Sequence, residues 1–336
     1  MTESLCPDPG RADERSPAPD GGPPPSDIRE HRVLYGCMGL GGGWDTSPYT
    51  AADVGHAEAA VRAALAAGIT AFDHADIYRH GKSEAVFGEL LARDPELRGR
   101  VLIQTKCGIV LPDGARPGYY DLRGASVVRR VEESLTRLRT DVIDVLLLHR
   151  PDPLARPEEI PEAFAALRSQ GLVRQFGVSN MSAAQIARLQ AVLDVPLVVD
   201  QLEMSLHRRD WVESGVLVNT PAAADDGFPH GTLEFCAAHG IRPQAWGALA
   251  RGRFTGGHDD SPAARLVAEL AQRKGTTPET VVLWWLLRHP AGIAPVIGTA
   301  RPDRIAACRD AVHRSPGLGH EEWYGLWTAA RGKALP

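Results

Sequence analysis

Short runs of aliphatic residues alternate along the chain with longer stretches in which apolar side chains recur every three or four positions. The short runs are typical of buried strands, and the longer stretches are typical of amphipathic helices. Their alternation predicts a series of parallel βα units. The predicted strands cover residues 32–38, 69–73, 101–106, 142–149, 173–179, 197–203, 242–246 and 294–298.

The number of these units selects among the α/β folds. Eight predicted strands favour a (β/α)8 TIM barrel over a doubly wound sheet of about five or six strands. The glycine-rich run at residues 39–43 lacks the spacing and the acidic partner of a dinucleotide-binding fingerprint, which also disfavours the doubly wound sheet. We therefore predict one barrel domain over residues 31–336, with its chemistry at the carboxyl ends of the strands.

Residues 1–30 lack the apolar pattern of the rest of the chain. This segment holds seven prolines and almost no large apolar side chains. It cannot bury enough surface to offset the entropy lost on ordering it, so we predict a disordered, Pro-rich N-terminal tail over residues 1–30. The segment also lacks the basic start and apolar stretch of a signal peptide.

Composition narrows the possible functions. The chain has 336 residues, with 37 Lys and Arg against 42 Asp and Glu, and a net charge of −5. This balance lacks the basic excess of proteins that bind nucleic acid or anionic membranes, and no run of about 18 apolar residues is present to span a membrane. The five cysteines are odd in number and form no Cys-x-x-Cys pair. We therefore expect neither disulfides nor a zinc site, and we expect a cytoplasmic protein.

Several predicted strands end on a residue that can carry chemistry, as a barrel enzyme requires. Lys106 ends one of them in a chain where only four of the 37 basic residues are lysines. Arginine cannot replace lysine where a compact charge or a tunable pKa is needed, so this lysine is a candidate functional residue. The residues at or next to such strand ends are Asp73, Lys106, His149, Ser179, Gln201 and Trp246.

Four residues form a candidate proton-transfer site. Asp73 can pair with the Lys106 ammonium and hold it charged and oriented. Tyr78 lies five residues beyond Asp73. We expect the Lys106 charge to lower the pKa of Tyr78 from about 10, so that the phenol can give a proton to a carbonyl oxygen at neutral pH. His149 can hydrogen-bond the same oxygen.

Five segments resemble the signature segments of the aldo-keto reductase superfamily. They are GITAFDHADIYRHGKSEAVFGELL, QTKCG, DVLLLHRPDP, FGVSN and PVIGTARPDRI, and they occur in the family order from about residue 32 onwards. The resemblance implies a (β/α)8 barrel, NADPH as hydride donor, and a catalytic tetrad of Asp73, Tyr78, Lys106 and His149. In the implied reaction the cofactor's hydride attacks a carbonyl carbon while Tyr78 protonates the oxygen.

The resemblance also implies the cofactor contacts. It assigns the nicotinamide carboxamide to Ser179, Asn180 and Gln201, and ring stacking to Trp246. Two further loops would hold the pyrophosphate and the adenosine 2′-phosphate, where the planar fork of arginine suits phosphate. The full implied cofactor set is Cys37, Met38, Asp73, Ser179, Asn180, Gln201, Trp246, Gly247, Ala248, Leu249, Arg251, Gly298, Thr299, Arg301 and Arg304.

Some positions depart from the family pattern. Met204 stands where many relatives have an aromatic residue, and Cys308 replaces a frequent asparagine near the adenine. The segment 207–229 is long for a βα loop, and such loops are usually functional or disordered. Trp211 within it is a candidate lid residue or a half-buried anchor.

Two functions from different classes remain open, and a third is disfavoured. The first is a monomeric NADPH-dependent reductase of a small-molecule aldehyde or ketone. The alternative is a sensor or accessory subunit of the same fold that binds NADP(H) with little turnover. A metal-dependent barrel hydrolase is disfavoured because His74 and His80 lack His-x-His spacing, so we predict no metal.

Overall fold

The computed structural model describes residues 26–221, 227–256 and 259–335. Within them eight parallel strands close into a barrel, which confirms the predicted (β/α)8 fold. The barrel strands are β1 Leu34–Gly36, β2 Ala71–Asp73, β3 Leu102–Cys107, β6 Ile143–Leu148, β7 Val173–Ser179, β8 Leu197–Glu203, β9 Arg242–Trp246 and β10 Ala294–Ile297. Their order around the barrel is β1–β10–β9–β8–β7–β6–β3–β2. Two short strands, β4 Ile109–Val110 and β5 Tyr119–Tyr120, form an antiparallel hairpin after β3.

Helices follow the barrel strands and cover the outside of the barrel. Their starts carry sequence signals, such as the capping box in which the Thr50 and Asp53 side chains bond each other's backbone N–H groups. No helix in the described part of the chain is both long and apolar enough to cross a membrane. The helices are α1 Ala51–Ala66, α2 Lys82–Arg93, α3 Gly124–Leu138, α4 Ile160–Ser169, α5 Ala183–Gln190, α6 Asp210–Val216, α7 Thr232–Ala238, α8 Pro262–Lys274, α9 Pro278–Leu287, α10 Pro302–Ala306, α11 Arg309–His313 and α12 His320–Arg331.

The barrel interior contains an apolar cluster that is separate from the larger core between strands and helices. Residues of β1, β2, β3, β6, β8 and β10 form this inner cluster. Ile28 belongs to it, has no exposed surface, and donates its backbone N–H to Gln175 Oε1 at 3.3 Å. This one apolar side chain therefore ties the start of the described chain to the inside of the barrel.

The position of Ile28 corrects the predicted tail boundary. Ile28–Glu30 forms a 3-10 helix whose N-cap, Asp27, accepts a hydrogen bond from the backbone N–H of Arg29. The prediction of disorder up to residue 30 is therefore wrong for residues 26–30. One apolar residue changes the composition of a polar segment too little for a prediction based on composition to detect that it is buried. The rest of the predicted tail, residues 1–25, lies outside the described residues.

Trp211 is a buried anchor rather than a lid. It is the second residue of helix α6, which was not predicted, is 2% exposed, and meets the Trp285 ring edge-on with centroids 5.3 Å apart. Met204 is also fully buried, so it belongs to the core. Residues 222–226 of the long segment lie outside the described residues.

We predict that Ile28→Ala lowers the free energy of unfolding by about 2–4 kcal/mol, because it removes buried methyl groups and leaves a cavity inside the barrel. Urea denaturation at pH 7 measures the change. Leu154→Ala is the matched control: Leu154 is 90% exposed, so its loss should change the free energy by less than about 0.5 kcal/mol. Equal, small effects of both substitutions would contradict this role of Ile28.

Candidate active site

The four residues of the predicted proton-transfer site meet at the carboxyl end of the barrel. Asp73 ends β2, Lys106 is the penultimate residue of β3, and His149 directly follows β6. Tyr78 opens a 3-10 helix, Tyr78–Gly81, in the loop after β2. Because β2, β3 and β6 are neighbours in the sheet, parallel strands bring these side chains to one edge.

Lys106 is the centre of this group and has no exposed surface. Its Nζ donates to Asp73 Oδ2 at 2.7 Å, to the carbonyl oxygen of His74 at 2.9 Å, and to Tyr78 Oη at 3.1 Å. An ammonium group has three donors, so this lysine is fully hydrogen-bonded without water. Burial lowers the pKa of Lys106, but the Asp73 carboxylate and Tyr78 reverse this and raise it overall.

The pKa of Tyr78 corrects the expectation from the sequence. Burial raises it above the ordinary value of 10.0, and attraction to Lys106 opposes the rise without reversing it. The Asp73 carboxylate adds to the rise, because it neutralises the lysine charge that was expected to stabilise a phenolate. The prediction of a lowered pKa is therefore wrong. The phenol stays protonated at physiological pH, which is the form that can donate a proton.

His149 presents a neutral ring beside Tyr78. The two ring centroids are 6.1 Å apart with the planes nearly perpendicular. Burial, with smaller contributions from the Lys106 and Arg150 charges, lowers the pKa of His149 well below 6.5. The backbone is fixed on both sides, since its N–H donates to Cys107 O at 2.9 Å and its carbonyl accepts from Asn180 Nδ2 at 3.3 Å.

The loop that carries Tyr78 has an unusual backbone. Arg79 and His80 have φ angles of 52° and 55°, a conformation that costs non-glycine residues energy and is frequent at functional sites. Arg79 Nε donates to Met38 O at 3.0 Å, and its guanidinium lies 5.5 Å from the Trp44 ring centroid. These contacts hold the loop after β2 against the loop after β1.

The predicted carboxamide-binding residues form a connected row at the end of β7. Asn180 has a φ of 59°. Its Nδ2 donates to Ser179 Oγ at 2.7 Å, and its Oδ1 accepts from Trp246 Nε1 at 3.2 Å. Ser179 Oγ in turn donates to the Gln201 carbonyl oxygen at 2.9 Å. The structure thus places these four predicted residues in contact.

A glutamine layer, formed by Gln104, Gln201 and Gln244, fills the barrel interior next to Asp73. Gln104 Nε2 donates to Asp73 Oδ1 at 2.6 Å and to Gln244 Oε1 at 2.8 Å, and Gln244 Nε2 returns a bond to Gln104 Oε1 at 3.0 Å. Gln201 Nε2 donates to Gln244 Oε1 at 2.9 Å. Barrel interiors are usually filled by branched apolar residues, so a polar layer at this place is unusual.

Gln104 and Gln244 are not among the site residues predicted from the sequence. The available signal is their spacing: each stands two residues before a predicted site residue, Lys106 and Trp246 respectively. Residues two apart on a strand face the same side, so both glutamines share the inner face with those residues.

The predicted phosphate-binding loops also come together. A Cβ on Gly252 would lie 2.7 Å from Arg304 Nη2, so a side chain there would push the guanidinium out of its observed position. Arg304 Nη2 donates to Thr255 Oγ1 at 2.8 Å and lies 3.5 Å from Glu279 Oε1. In the loop after β9, on the N-terminal side of Thr255, the backbone is left-handed at four residues: Gly247 (φ 69°), Ala250 (φ 46°), Arg251 (φ 57°) and Gly252 (φ 82°).

The remaining predicted cofactor residues differ in exposure. Ala248 is buried and Leu249 is half-buried, so at Ala248 only the backbone could face a ligand. Arg301 is exposed and pairs with Asp303 at 2.6 Å. Gly298 is exposed and Thr299 is half-buried, with Thr299 Oγ1 accepting from Arg301 N at 3.2 Å.

Cys37 and Met38 occupy the rim after β1. Cys37 is fully buried, burial raises the pKa of its thiol well above the usual range, and its carbonyl accepts from Ser83 Oγ at 2.6 Å. Met38 is 52% exposed. Among the described residues no group of three or more His, Cys, Asp or Glu side chains could hold a metal ion.

The (β/α)8 barrel, with a buried lysine that contacts an aspartate and a tyrosine at its carboxyl end, agrees with the arrangement that the resemblance to aldo-keto reductases implies. Residues 32–316 match the Aldo/keto reductase family, so the chain belongs to that family. It is an oxidoreductase, as the sequence predicted.

Named relatives agree with this assignment. The chain is 39% identical over 276 residues to the uncharacterised oxidoreductase YcsN of Bacillus subtilis, covering 80% of this chain and 86% of YcsN. It is 37% identical over 309 residues to a 6-dehydroglucose reductase of Agrobacterium fabrum, covering 90% and 95% of the two chains. A solved glycerol dehydrogenase from Gluconobacter oxydans matches with a TM-score of 0.72 and 25% identity, over 91% of this chain and 93% of that one.

The neutral state of His149 predicts a pH-dependent contribution to stability. Unfolded histidine takes up a proton below its ordinary pKa of 6.5, whereas the His149 ring in the folded chain, with its lowered pKa, does not, so acid favours the unfolded state. Acidification from pH 7 to 5.5 should destabilise the wild-type chain by about 1 kcal/mol more than His149→Gln, as measured by urea denaturation at both pH values. Equal losses in the two proteins would show that the ring is protonated in the fold.

Proposed function

We propose that the chain reduces an aldehyde or a ketone to the alcohol, with NADPH as the cofactor and Tyr78 as the proton donor. The observation that carries this proposal is the 3.1 Å contact between Lys106 Nζ and the phenol oxygen of Tyr78, whose pKa is raised. A protonated phenol held beside a fixed positive charge is arranged to give its proton to an oxygen on which negative charge develops.

Each member of the tetrad has a separate task in this proposal. Tyr78 donates the proton at Oη, and Lys106 stabilises the phenolate that forms. Asp73 keeps Lys106 charged through the 2.7 Å ion pair. His149, with its neutral ring beside the phenol, donates a hydrogen bond to the substrate oxygen and so orients the carbonyl.

The residues present fit a nicotinamide adenine dinucleotide phosphate. Ser179, Asn180 and Gln201 offer side-chain amide and hydroxyl groups beside the tetrad, and the Trp246 indole gives a flat surface next to them. When bound, NADPH would supply the hydride. Arg304, for which Gly252 leaves space, is placed to hold the 2′-phosphate that distinguishes this cofactor from NADH.

The substrate is proposed to be a small carbonyl compound that reaches the site between exposed apolar side chains. Met38 and Trp44 follow β1, and Tyr119 and Tyr120 lie in the hairpin after β3, all exposed at the carboxyl end of the barrel.

We extend the proposal to a monomer in the cytoplasm. The four cysteines among the described residues are buried and unpaired, as a reducing compartment requires.

Oxidation of NADPH in the presence of a carbonyl panel tests the activity itself. The panel contains 4-nitrobenzaldehyde, methylglyoxal, a diketone and 6-dehydroglucose, the last because a relative is named for it. Turnover of any member supports the proposal. Tight NADPH binding without turnover of any carbonyl would favour the sensor or accessory subunit instead.

Tyr78→Phe should lower kcat by at least about 100-fold while leaving the Kd for NADPH within about twofold, because it deletes only the proton donor. Stopped-flow assays and fluorescence titration measure the two quantities. Tyr49→Phe is the control, since its hydroxyl bonds Glu89 at 3.1 Å, away from the tetrad. A Tyr78→Phe enzyme with wild-type turnover would refute the assigned mechanism.

Arg304→Ala should weaken binding of NADPH by about 10-fold or more while changing NADH binding little, because only NADPH carries the 2′-phosphate that the guanidinium would hold. Titration with both cofactors gives the ratio of dissociation constants. Arg309→Ala, an exposed arginine on the next helix, α11, is the matched control. Equal losses for both cofactors would argue against the 2′-phosphate role.

A further inference from the structure

We propose that Gln104 and Gln244 are positioning residues, which transmit the orientation of the Asp73 carboxylate across the barrel to Gln201. Through them the amide of Gln201 is fixed so that its oxygen faces the carboxamide of a nicotinamide cofactor. This inference rests on the proposed function, because it concerns how the proposed cofactor is recognised.

The glutamine layer spans the full width of the barrel. Gln104 lies on β3 and Gln244 on β9, which are four places apart in the eight-stranded ring and therefore opposite each other. Their amides form a reciprocal pair, with bonds of 2.8 Å and 3.0 Å. In register, Asp73 pairs with Gln104, and Gln201 pairs with Gln244. The pair thus joins the proton-donor side of the site to the cofactor side.

The charge on Asp73 sets the direction of every amide in the layer. An ionised carboxylate only accepts, so Gln104 must turn its Nε2 toward Asp73, and its Oε1 then accepts from Gln244 Nε2. The Oε1 of Gln244 is left to accept twice, from Gln104 Nε2 and from Gln201 Nε2. The amide nitrogen of Gln201 is therefore held toward Gln244 Oε1.

With one N–H of Gln201 bonded to Gln244, its second N–H and its Oε1 remain, and the direction of the amide fixes where that oxygen lies. The Oε1 of Gln201 accepts no hydrogen bond from the described residues. This oxygen is also not fully buried. A carboxamide offers N–H donors, which match this oxygen. An amide free to turn would present its nitrogen as readily, so fixing its direction before the ligand arrives favours the correct donor and acceptor pairing.

The hydrogen-bonded chain of Asp73, Gln104, Gln244 and Gln201 is called the relay below. Burial prevents its amides from reversing their direction. Gln104 and Gln244 have no exposed surface, and Gln201 is 2% exposed. Reversing one amide would set donor against donor or acceptor against acceptor without water to compensate, and unpaired buried polar groups are costly. The layer is therefore expected to hold one arrangement while Asp73 is ionised.

The test compares NADP⁺ with its 3-acetylpyridine analogue, in which a methyl ketone keeps the carbonyl oxygen and removes the N–H donors. Wild-type protein should bind NADP⁺ several-fold tighter, up to about 10-fold, as expected for one hydrogen bond. In Gln244→Met and Gln104→Met this preference should fall at least threefold, because the amide of Gln201 loses its fixed direction. Fluorescence titration of the full-length chain gives all the dissociation constants without turnover.

Thr105→Val is the matched control. Thr105 neighbours Gln104 and is equally buried, but its hydroxyl donates to Glu84 Oε1 at 2.6 Å outside the relay. This variant should keep the wild-type preference even if it melts at a lower temperature, so a general loss of stability cannot imitate the result. Two glutamine variants break the relay at different links, and circular dichroism identifies any that fails to fold.

An unchanged preference in the folded glutamine variants would overturn the relay, as would an equal loss of preference in Thr105→Val. These outcomes are separable from failure of the proposed function. Wild-type protein that binds NADP⁺ with the predicted preference but reduces no carbonyl would refute the reductase and leave the relay supported. Absence of NADP⁺ binding would overturn both.

Discussion

An ammonium group with no exposed surface must be paired and fully hydrogen-bonded, and Lys106 meets both requirements through Asp73 at 2.7 Å, a backbone carbonyl and Tyr78. Removing one partner of such a pair typically costs about 3–5 kcal/mol, because the other charge is left buried alone. The same pair governs both halves of the site. The lysine end holds the phenol, and the carboxylate end orients Gln104.

The barrel makes this arrangement possible because its interior is built in layers. The inner apolar cluster, which includes Ile28, contributes stability in the usual way for a barrel. The polar layer that contains Asp73 and the glutamines leads to the open end, where parallel strands deliver Lys106 and His149. Left-handed backbone at Arg79 and Asn180 lies in the loops at this open end, and hydrogen bonds from the two side chains to Met38 O and His149 O hold it there.

Much of this could be predicted from sequence, because strand periodicity and strand ends are local properties. Asp73, Lys106 and His149 were found by that rule, and the structure brings them together with Tyr78. The direction of the Tyr78 pKa shift could not be found in this way, since it depends on how burial compares with the Lys106 charge. Likewise, Gln104 and Gln244 reach each other only because β3 and β9 lie opposite in the closed ring, which is a property of the whole fold.

The pH dependence of the single-turnover rate of carbonyl reduction tests the central claim, that burial keeps Tyr78 protonated beside Lys106. Because the pKa of Tyr78 is raised above 10.0, the rate should stay level through neutral and mildly alkaline pH and fall only above about pH 10, as the phenol loses its proton. Tyr78→Phe should remove that fall along with most of the rate. A decline centred near pH 7 in the wild-type enzyme would show a lowered pKa and contradict the account.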